Sequence, residues 1–122
     1  MYLTRERISL GRAGEEYAAK YLQKRGFRIV ERNFRCKLGE LDIVARDGPF
    51  LVFTEVRSMT GKAFGSPQES ITDKKKKKLR QVAQFYAKFR NVGDTPMRFD
   101  VVAITADSGG NVIKLDHIVN AL

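Results

Sequence analysis

Hydrophobic residues recur at helical spacing in two segments of the chain. In the first, at about 10–25, apolar and aromatic residues return every three or four positions, and Gly26 follows where a helix C-cap belongs. In the second, Thr72 or Asp73 can cap a helix whose apolar stripe is Leu79, Val82, Ala83, Phe85, Tyr86 and Phe89. The pattern predicts two amphipathic helices.

Three segments between these helices are rich in residues that favour β-strands. They are 27–34, 40–45 and 50–57, and they are separated by polar turns at 36–39 and 47–49. Because each turn is short, consecutive strands are expected to pair. The pattern therefore predicts a meander of three strands.

Two more strands are predicted after the second helix. Residues 98–105 form an almost continuous apolar run, which is typical of a strand buried on both faces, and 111–115 is expected to be a short edge strand. Residues 58–67 have no regular pattern and predict a loop of about ten residues. This order of elements favours a three-layer α/β sandwich with a mixed central sheet. No repeat or linker divides the chain, so 1–122 is expected to form a single domain.

Composition narrows the class of protein. Hydrophobic residues make up 43% and charged residues 30% of the 122, which is typical of globular proteins and argues against disorder. No stretch approaches the roughly 18 apolar residues of a membrane span, and no apolar segment follows the charged N-terminus, so we expect a cytoplasmic protein. A single Cys36 and a single His117 exclude an internal disulfide and a Cys/His zinc site within one chain.

Positive charge is concentrated in one segment. The chain has a net charge of +9, and residues 72–90 hold eight lysines and arginines against Asp73 alone. Nucleic acid is the commonest partner of such a surface and an anionic membrane the second, while a solvated helix end is the alternative. Cations in the first turns of a helix oppose its dipole, which favours a bound polyanion. The predicted nucleic-acid-binding residues are Lys74, Lys75, Lys76, Lys77, Lys78 and Arg80.

Charged residues alternate with apolar ones on the second and third predicted strands. Because alternate side chains of a strand share a face, Glu40 and Asp42 are expected on the same face of their strand. Glu55 and Arg57 are likewise expected on the same face of the next strand. A two-residue hairpin loop would place Glu40 opposite Glu55, and a four-residue loop would place Asp42 opposite Glu55. Both registers put all four on one face, whereas a three-residue loop or a bulge would separate them.

Neighbouring carboxylates on one face of a sheet repel one another unless a cation neutralises them. Mg²⁺ or Mn²⁺ prefers oxygen ligands and is often held by one or two carboxylates, so Asp42 and Glu55 would suffice. A metal site beside a basic surface indicates phosphodiester chemistry. The alternative is an ordinary amphipathic strand, on which Arg57 pairs with one of the acids.

The placement of Asp42, Glu55 and Arg57 resembles the restriction-endonuclease-like core, whose signature is Asp and then Asp/Glu-x-Lys on two adjacent strands. Motifs spread over nearly the whole chain also resemble the YraN-type family of small bacterial proteins. That family is described as a proposed endonuclease, similar in fold to archaeal Holliday-junction resolvases. The motifs that carry the resemblance are Gly14-Glu15, 39–44, 51–57, 65–67 and Lys75.

The resemblance implies a restriction-endonuclease-like sandwich and a set of site residues. Asp42 and Glu55 would ligate Mg²⁺, with the Val56 carbonyl as a third oxygen. Glu15 matches the helix glutamate of resolvase-like members and would reach the metal or its water, although near the N-terminus of a helix it is also a favourable dipole partner. Glu40 would lie beyond the ligands or be exposed.

Arg57 stands where the nuclease signature most often has lysine. Arginine stays protonated, so Arg57 can bind phosphate or stabilise developing charge but cannot act as a base. A water bound to the metal would then be the nucleophile, since a divalent metal lowers its pKa. Gln68 and Lys75 are expected to contact the phosphate that is cut, and Lys75 is alternatively one cation in a run of five.

The sequence leaves three functions open. The first is a Mg²⁺-dependent endonuclease acting on DNA, with branched DNA among its candidate substrates and DNA repair or recombination as its context. The second is a nucleic-acid-binding module without catalysis on a nuclease fold, and the third is an adaptor for a protein partner. Symmetric cutting of two strands would favour a homodimer.

Overall fold

Two helices and a single five-stranded sheet make up the structure, a computed structural model that describes the backbone of residues 2–60 and 72–122 and the side chains of 12–60 and 72–122. The predicted α/β class is confirmed. In chain order the elements are α1 (Tyr2–Lys24), β1 (Arg28–Cys36), β2 (Gly39–Asp47), β3 (Phe50–Thr60), α2 (Asp73–Phe89), β4 (Met97–Ala106) and β5 (Val112–Ile118).

The sheet is mixed, and its strands lie in the order in which they follow one another along the chain. β1, β2 and β3 form an antiparallel meander, β4 runs parallel to β3, and β5 is antiparallel to β4 at the edge. The parallel pair is joined through α2, as parallel strands require a crossover. Neither helix is long and apolar enough to cross a membrane within the residues described.

Each face of the sheet is covered by one helix. Ala18 and Leu22 of α1 pack in a cluster that includes Val52 of β3, whereas Val82 and Tyr86 of α2 pack in a separate cluster on the other face. Consecutive residues of β3 alternate between the clusters, as the pleat of a strand dictates. The α2 cluster also holds Phe34, Leu41, Val44, Leu51, Phe53 and Ala83.

Helix caps follow the signals in the sequence. Gly26 has a φ of 92°, a left-handed conformation that glycine adopts readily at the end of a helix. Thr72 is the N-cap of α2, and its hydroxyl accepts a hydrogen bond of 3.2 Å from the backbone N–H of Lys75. The end of α1 and the start of α2 therefore lie close to the predicted positions.

Three boundaries differ from the sequence prediction by three residues or more. α1 begins at Tyr2 rather than near residue 10, because Arg, Glu and Leu in this segment favour helix even without an apolar stripe. β3 continues to Thr60, where a loop was expected from 58, because Ser58 and the two residues after it pair with β4. β5 extends to Ile118 for the same reason. The rest of the predicted loop lies outside the described residues.

One helix glycine permits a close approach between layers. A Cβ atom on Gly14 of α1 would clash with the Ser58 hydroxyl oxygen of β3, so one of the two would have to move. The absence of a side chain at Gly14 thus lets α1 lie against the carboxyl half of β3. The same contact brings Glu15 towards the end of the sheet where the acidic residues gather.

Candidate functional site

The register of the β2–β3 hairpin brings the two predicted metal ligands together. Arg46 pairs with Leu51, and the outermost pair is Asp47 with Phe50. This is the register expected of a four-residue loop with one further pair closed inside it. Extended by one pair, this register would set Asp42 opposite Glu55, and it excludes the register in which Glu40 would oppose Glu55.

The two strands part at Asp42. Regular pairing ends at Ile43 and Thr54, and the Asp42 Oδ2 atom accepts a hydrogen bond of 2.8 Å from the backbone N–H of Val56. Leu41 packs in the α2 cluster although Ile43, two positions along, packs in the α1 cluster, so the alternation of β2 is interrupted between them. The Asp42 carboxylate therefore lies in the gap between β2 and β3.

This carboxylate is hard to ionise. Burial raises the pKa of Asp42 to about 6, and the nearby carboxylates of Glu15, Glu55 and Glu40 raise it too, although the hydrogen bond from Val56 opposes the shift. Three other acidic side chains thus act on Asp42 at this end of the sheet. Such an arrangement is stabilised by any cation that enters it.

Glu55 is neutralised by two basic side chains. Lys75 Nζ lies 2.7 Å from Glu55 Oε1, and Arg57 Nη1 lies 3.5 Å from Glu55 Oε2. The Glu55 side chain is only 14% exposed, so these ion pairs are partly shielded from solvent. Lys75 reaches across from the first turn of α2, while Arg57 lies two residues along β3 on the same face.

A cavity of about 250 Å³ lies between the α2 face of the sheet and the start of α2. Asp42, Glu55 and Glu40 form its acidic side, and Lys75 and Lys78 its basic side. Since a water molecule occupies about 30 Å³ of liquid, the cavity can hold a phosphate-sized group with several waters. Its remaining lining is mostly apolar and comes from α2, β2, β3, β4 and the segment after β5.

The basic run divides into two sets on α2. Lys75 and Lys78 line the cavity, as expected for residues three apart on one helix face. The side chains of Lys74, Lys77 and Arg80 are exposed. Lys76 is half-buried. The predicted phosphate contact Gln68 lies outside the described residues.

The donor set suits a hard divalent cation only through Asp42 and Glu55. Among residues 12–60 and 72–122, no three His, Cys, Asp or Glu side chains are grouped closely enough to hold a metal ion. Glu15 therefore does not form a preassembled trio with the other two, although it affects the pKa of Asp42. Glu40 forms an exposed ion pair of 3.0 Å with Arg35. Two carboxylates plus water and phosphate oxygens are an ordinary Mg²⁺ environment.

Sequence reasoning missed the part of the cavity wall that comes from the end of the chain. Ala121 and Leu122 line the cavity, and the backbone N–H of Ala121 donates a hydrogen bond of 2.7 Å to the Phe99 carbonyl. The Asn120 N–H donates to the buried Asp100 carboxylate at 3.0 Å. The available signal was Asp100 itself, a charge within an otherwise apolar strand.

Comparisons with known proteins identify relatives over nearly the full length. A model of the family described as "Uncharacterised protein family UPF0102" matches residues 14–104. A "UPF0102 protein" of Pelotomaculum thermopropionicum is 52% identical over 112 residues, covering 92% of this chain and 93% of the relative. Proteins of the same name from Desulforamulus reducens and Moorella thermoacetica are 48% and 44% identical, over 96% and 99% of this chain and 98% and 99% of their own.

Proposed function

We propose, from the premise that this chain belongs to the uncharacterised protein family UPF0102 and from the residues of its own cavity, that the protein is a Mg²⁺- or Mn²⁺-dependent DNA endonuclease on a restriction-endonuclease-like fold. The family assignment confirms the resemblance to the YraN type. The observation that carries the proposal is a half-buried acidic pair, Asp42 and Glu55, that lines one cavity together with Lys75 and Lys78.

The acidic side of the cavity supports a metal-binding role. Burial disfavours the charged form of Asp42, and a divalent cation would offset both this cost and the repulsion between Asp42 and its acidic neighbours. We assign Asp42, Glu55 and the Val56 carbonyl as ligands, with Glu15 strengthening the local negative field. When bound, the metal lowers the pKa of water and neutralises charge on the phosphate.

The basic side supports a role in binding the nucleic-acid backbone. Lys75 and Lys78 face the carboxylates and would bind the phosphate that enters the cavity. The exposed Lys74, Lys77 and Arg80 continue the positive surface beyond it and would bind flanking phosphates. Such contacts read the backbone and not the bases, which is compatible with a substrate chosen by shape, such as branched DNA.

A second candidate is a nucleic-acid-binding module that does not cut. It is favoured by the ion pairs of Glu55 with Lys75 and Arg57, which neutralise this carboxylate without any metal. It is also favoured by Arg57 itself, because arginine in place of the signature lysine stays protonated. In this candidate the lysines of α2 carry the function alone.

Cleavage assays with matched variants separate the two candidates. Linear, flapped and four-way-junction DNA would be incubated in Mg²⁺ or Mn²⁺ with the wild type, Asp42→Ala, Glu55→Ala and the control Asp94→Ala, which changes an exposed acid. We expect Asp42→Ala and Glu55→Ala to cut DNA at least about 100-fold more slowly while DNA binding persists. The Asp94→Ala control should cut at the wild-type rate. Cleavage that survives both changes would contradict the metal site.

Salt dependence tests the nucleic-acid interface independently of cleavage. If about five lysines and arginines reach phosphates, log K should fall against log salt with a slope of roughly −4 to −5. Fluorescence anisotropy with labelled DNA over a range of KCl concentrations would measure this slope. Salt-sensitive binding without cleavage by the wild type would support the second candidate, and a flat profile would contradict both.

A further inference from the structure

We propose that Lys75, rather than Arg57, is the cationic side chain that contacts the phosphate being cut, and that its ion pair with Glu55 is the contact it gives up to do so. The inference rests on the proposed nuclease function. Within that function, it gives Lys75 the role of the lysine in the Asp/Glu-x-Lys signature of the restriction-endonuclease-like core. The sequence had predicted phosphate contacts for both Arg57, which stands at the signature position two residues after Glu55, and Lys75, and did not choose between them.

The positions of the two cations relative to the cavity carry the assignment. Lys75 lies 2.7 Å from Glu55 Oε1 and lines the cavity together with Asp42. Arg57 reaches the other oxygen of Glu55 only at 3.5 Å and is not part of the cavity lining. A phosphate that enters between the carboxylates and α2 would therefore meet the ammonium of Lys75 before the guanidinium of Arg57.

The start of α2 holds Lys75 in this position. Its backbone N–H donates to the hydroxyl of the N-cap Thr72, so the backbone from which the side chain extends is fixed in the first turn. A cation in the first turn opposes the helix dipole, and the bond to Glu55 offsets that cost. A phosphate at the same place would be attracted by Lys75 and by the helix N-terminus together.

The shared carboxylate makes the inference testable in two directions. While Lys75 is bound to Glu55 Oε1, its ammonium competes with a divalent cation for that oxygen. Removing the ammonium should thus strengthen metal binding, because one positive charge no longer repels the ion. The same removal should slow cleavage, because the phosphate loses the charge that stabilises it as bonds change. A purely structural lysine would not produce these opposite effects.

The test compares Lys75→Gln with Lys88→Gln, a matched control from the other end of α2 whose side chain is exposed. Binding of Mn²⁺ alone would be measured by isothermal titration calorimetry, and cleavage would be measured on the DNA that the wild type cuts best. We expect Lys75→Gln to bind Mn²⁺ about tenfold more tightly and to cut DNA about 100-fold more slowly. Lys88→Gln should match the wild type in metal binding and stay within about threefold in cleavage.

Two further variants separate charge from fold. Lys75→Arg keeps the positive charge and should retain more cleavage than Lys75→Gln. Arg57→Gln should slow cleavage less than Lys75→Gln does. Thermal unfolding of each variant would show that the protein is folded, because both positions are partly exposed.

Each contrary outcome has a distinct meaning. Equal cleavage by Lys75→Gln and Lys88→Gln, with a wild type that cuts and an Asp42→Ala variant that does not, would overturn the inference and leave the proposed function standing. Faster cleavage by Lys75→Gln would also overturn it, since Lys75 would then only block the site. Unchanged or weaker Mn²⁺ binding would show that Lys75 does not compete at Glu55. A wild type that never cuts would overturn both proposals.

Discussion

Replacement of Asp100 by alanine is expected to lower the free energy of unfolding by about 3–5 kcal/mol, because it breaks a buried ion-pair network. The Asp100 side chain is fully buried on β4. It accepts two hydrogen bonds from Arg98, at 2.9 and 3.0 Å, one contact of 2.8 Å with His117 Nε2, and one of 3.0 Å from the Asn120 backbone.

The cost arises from the partners that Asp100 leaves behind. Arg98 is 13% and His117 only 6% exposed, so neither can recover its lost hydrogen bonds in water. Burial alone would raise the pKa of Asp100, but the hydrogen bonds from His117, Arg98 and Asn120 hold that pKa below its usual value. The network therefore stabilises the folded protein at neutral pH, and this contribution is lost as the pH falls below the usual range of an aspartate.

Urea unfolding at pH 7, followed by circular dichroism, would measure the effect. Asp116→Ala is a suitable control, because Asp116 forms only an exposed contact of 3.6 Å with Lys114 on the neighbouring strand β5. We expect the control to change stability by less than about 0.5 kcal/mol. A loss of under 1 kcal/mol for Asp100→Ala would show that the partners relax at little cost.

The same network connects the core to the candidate site. Asp100 binds the backbone of Asn120, and the next residue, Ala121, is hydrogen-bonded to Phe99 and lines the cavity. A variant that loses the Asp100 contact should therefore loosen the cavity wall formed by Ala121 and Leu122. The polar network on the α1 face thus supports the position of residues on the α2 face.

Replacement of Asp42 by asparagine is expected to have the opposite sign and to stabilise the protein by about 2–3 kcal/mol at pH 8. The pKa of Asp42 is raised from 3.8 to about 6 in the folded state, so at pH 8 the carboxylate is charged at a free-energy cost that unfolding relieves. Asparagine is neutral and its oxygen can still accept the Val56 hydrogen bond.

The pH dependence of this gain distinguishes charge from packing. Below about pH 4 the carboxyl group is protonated in both states, so the two proteins should be almost equally stable. The difference should open as the pH rises from about 4 to 6 and remain constant above. Urea unfolding at pH 4, 5, 6 and 8 would follow it, with Asp94→Asn as a control.

Two results would contradict this account of Asp42. A variant that is less stable than the wild type at pH 8 would show that the carboxylate contributes more through its bonds than it costs through its charge. A gain that is equal at pH 4 and pH 8 would point to packing and not to ionisation. The expected gain in stability, together with the expected loss of cleavage, would mark Asp42 as a residue retained at the expense of stability.

The sequence by itself determined the elements and the family. Apolar periodicity located both helices, and the cap signals at Gly26 and Thr72 marked their ends because capping is a local hydrogen-bonding requirement. The alternation of apolar and charged residues predicted that Asp42 and Glu55 lie on one face of two adjacent strands. It left the register of these strands open. Five short motifs in order were enough to recognise the YraN-type family.

The tertiary structure alone decided the contacts between residues distant along the chain. Pairing of Asp47 with Phe50 selected the register that brings Asp42 next to the Glu55–Val56 segment of β3. Which of five consecutive lysines reaches Glu55 depends on where α2 lies over the sheet, and helical periodicity cannot show this without the position of the neighbouring strand. The chain beyond residue 57 continues as strand because β4 supplies its hydrogen bonds, a partner more than forty residues away in sequence.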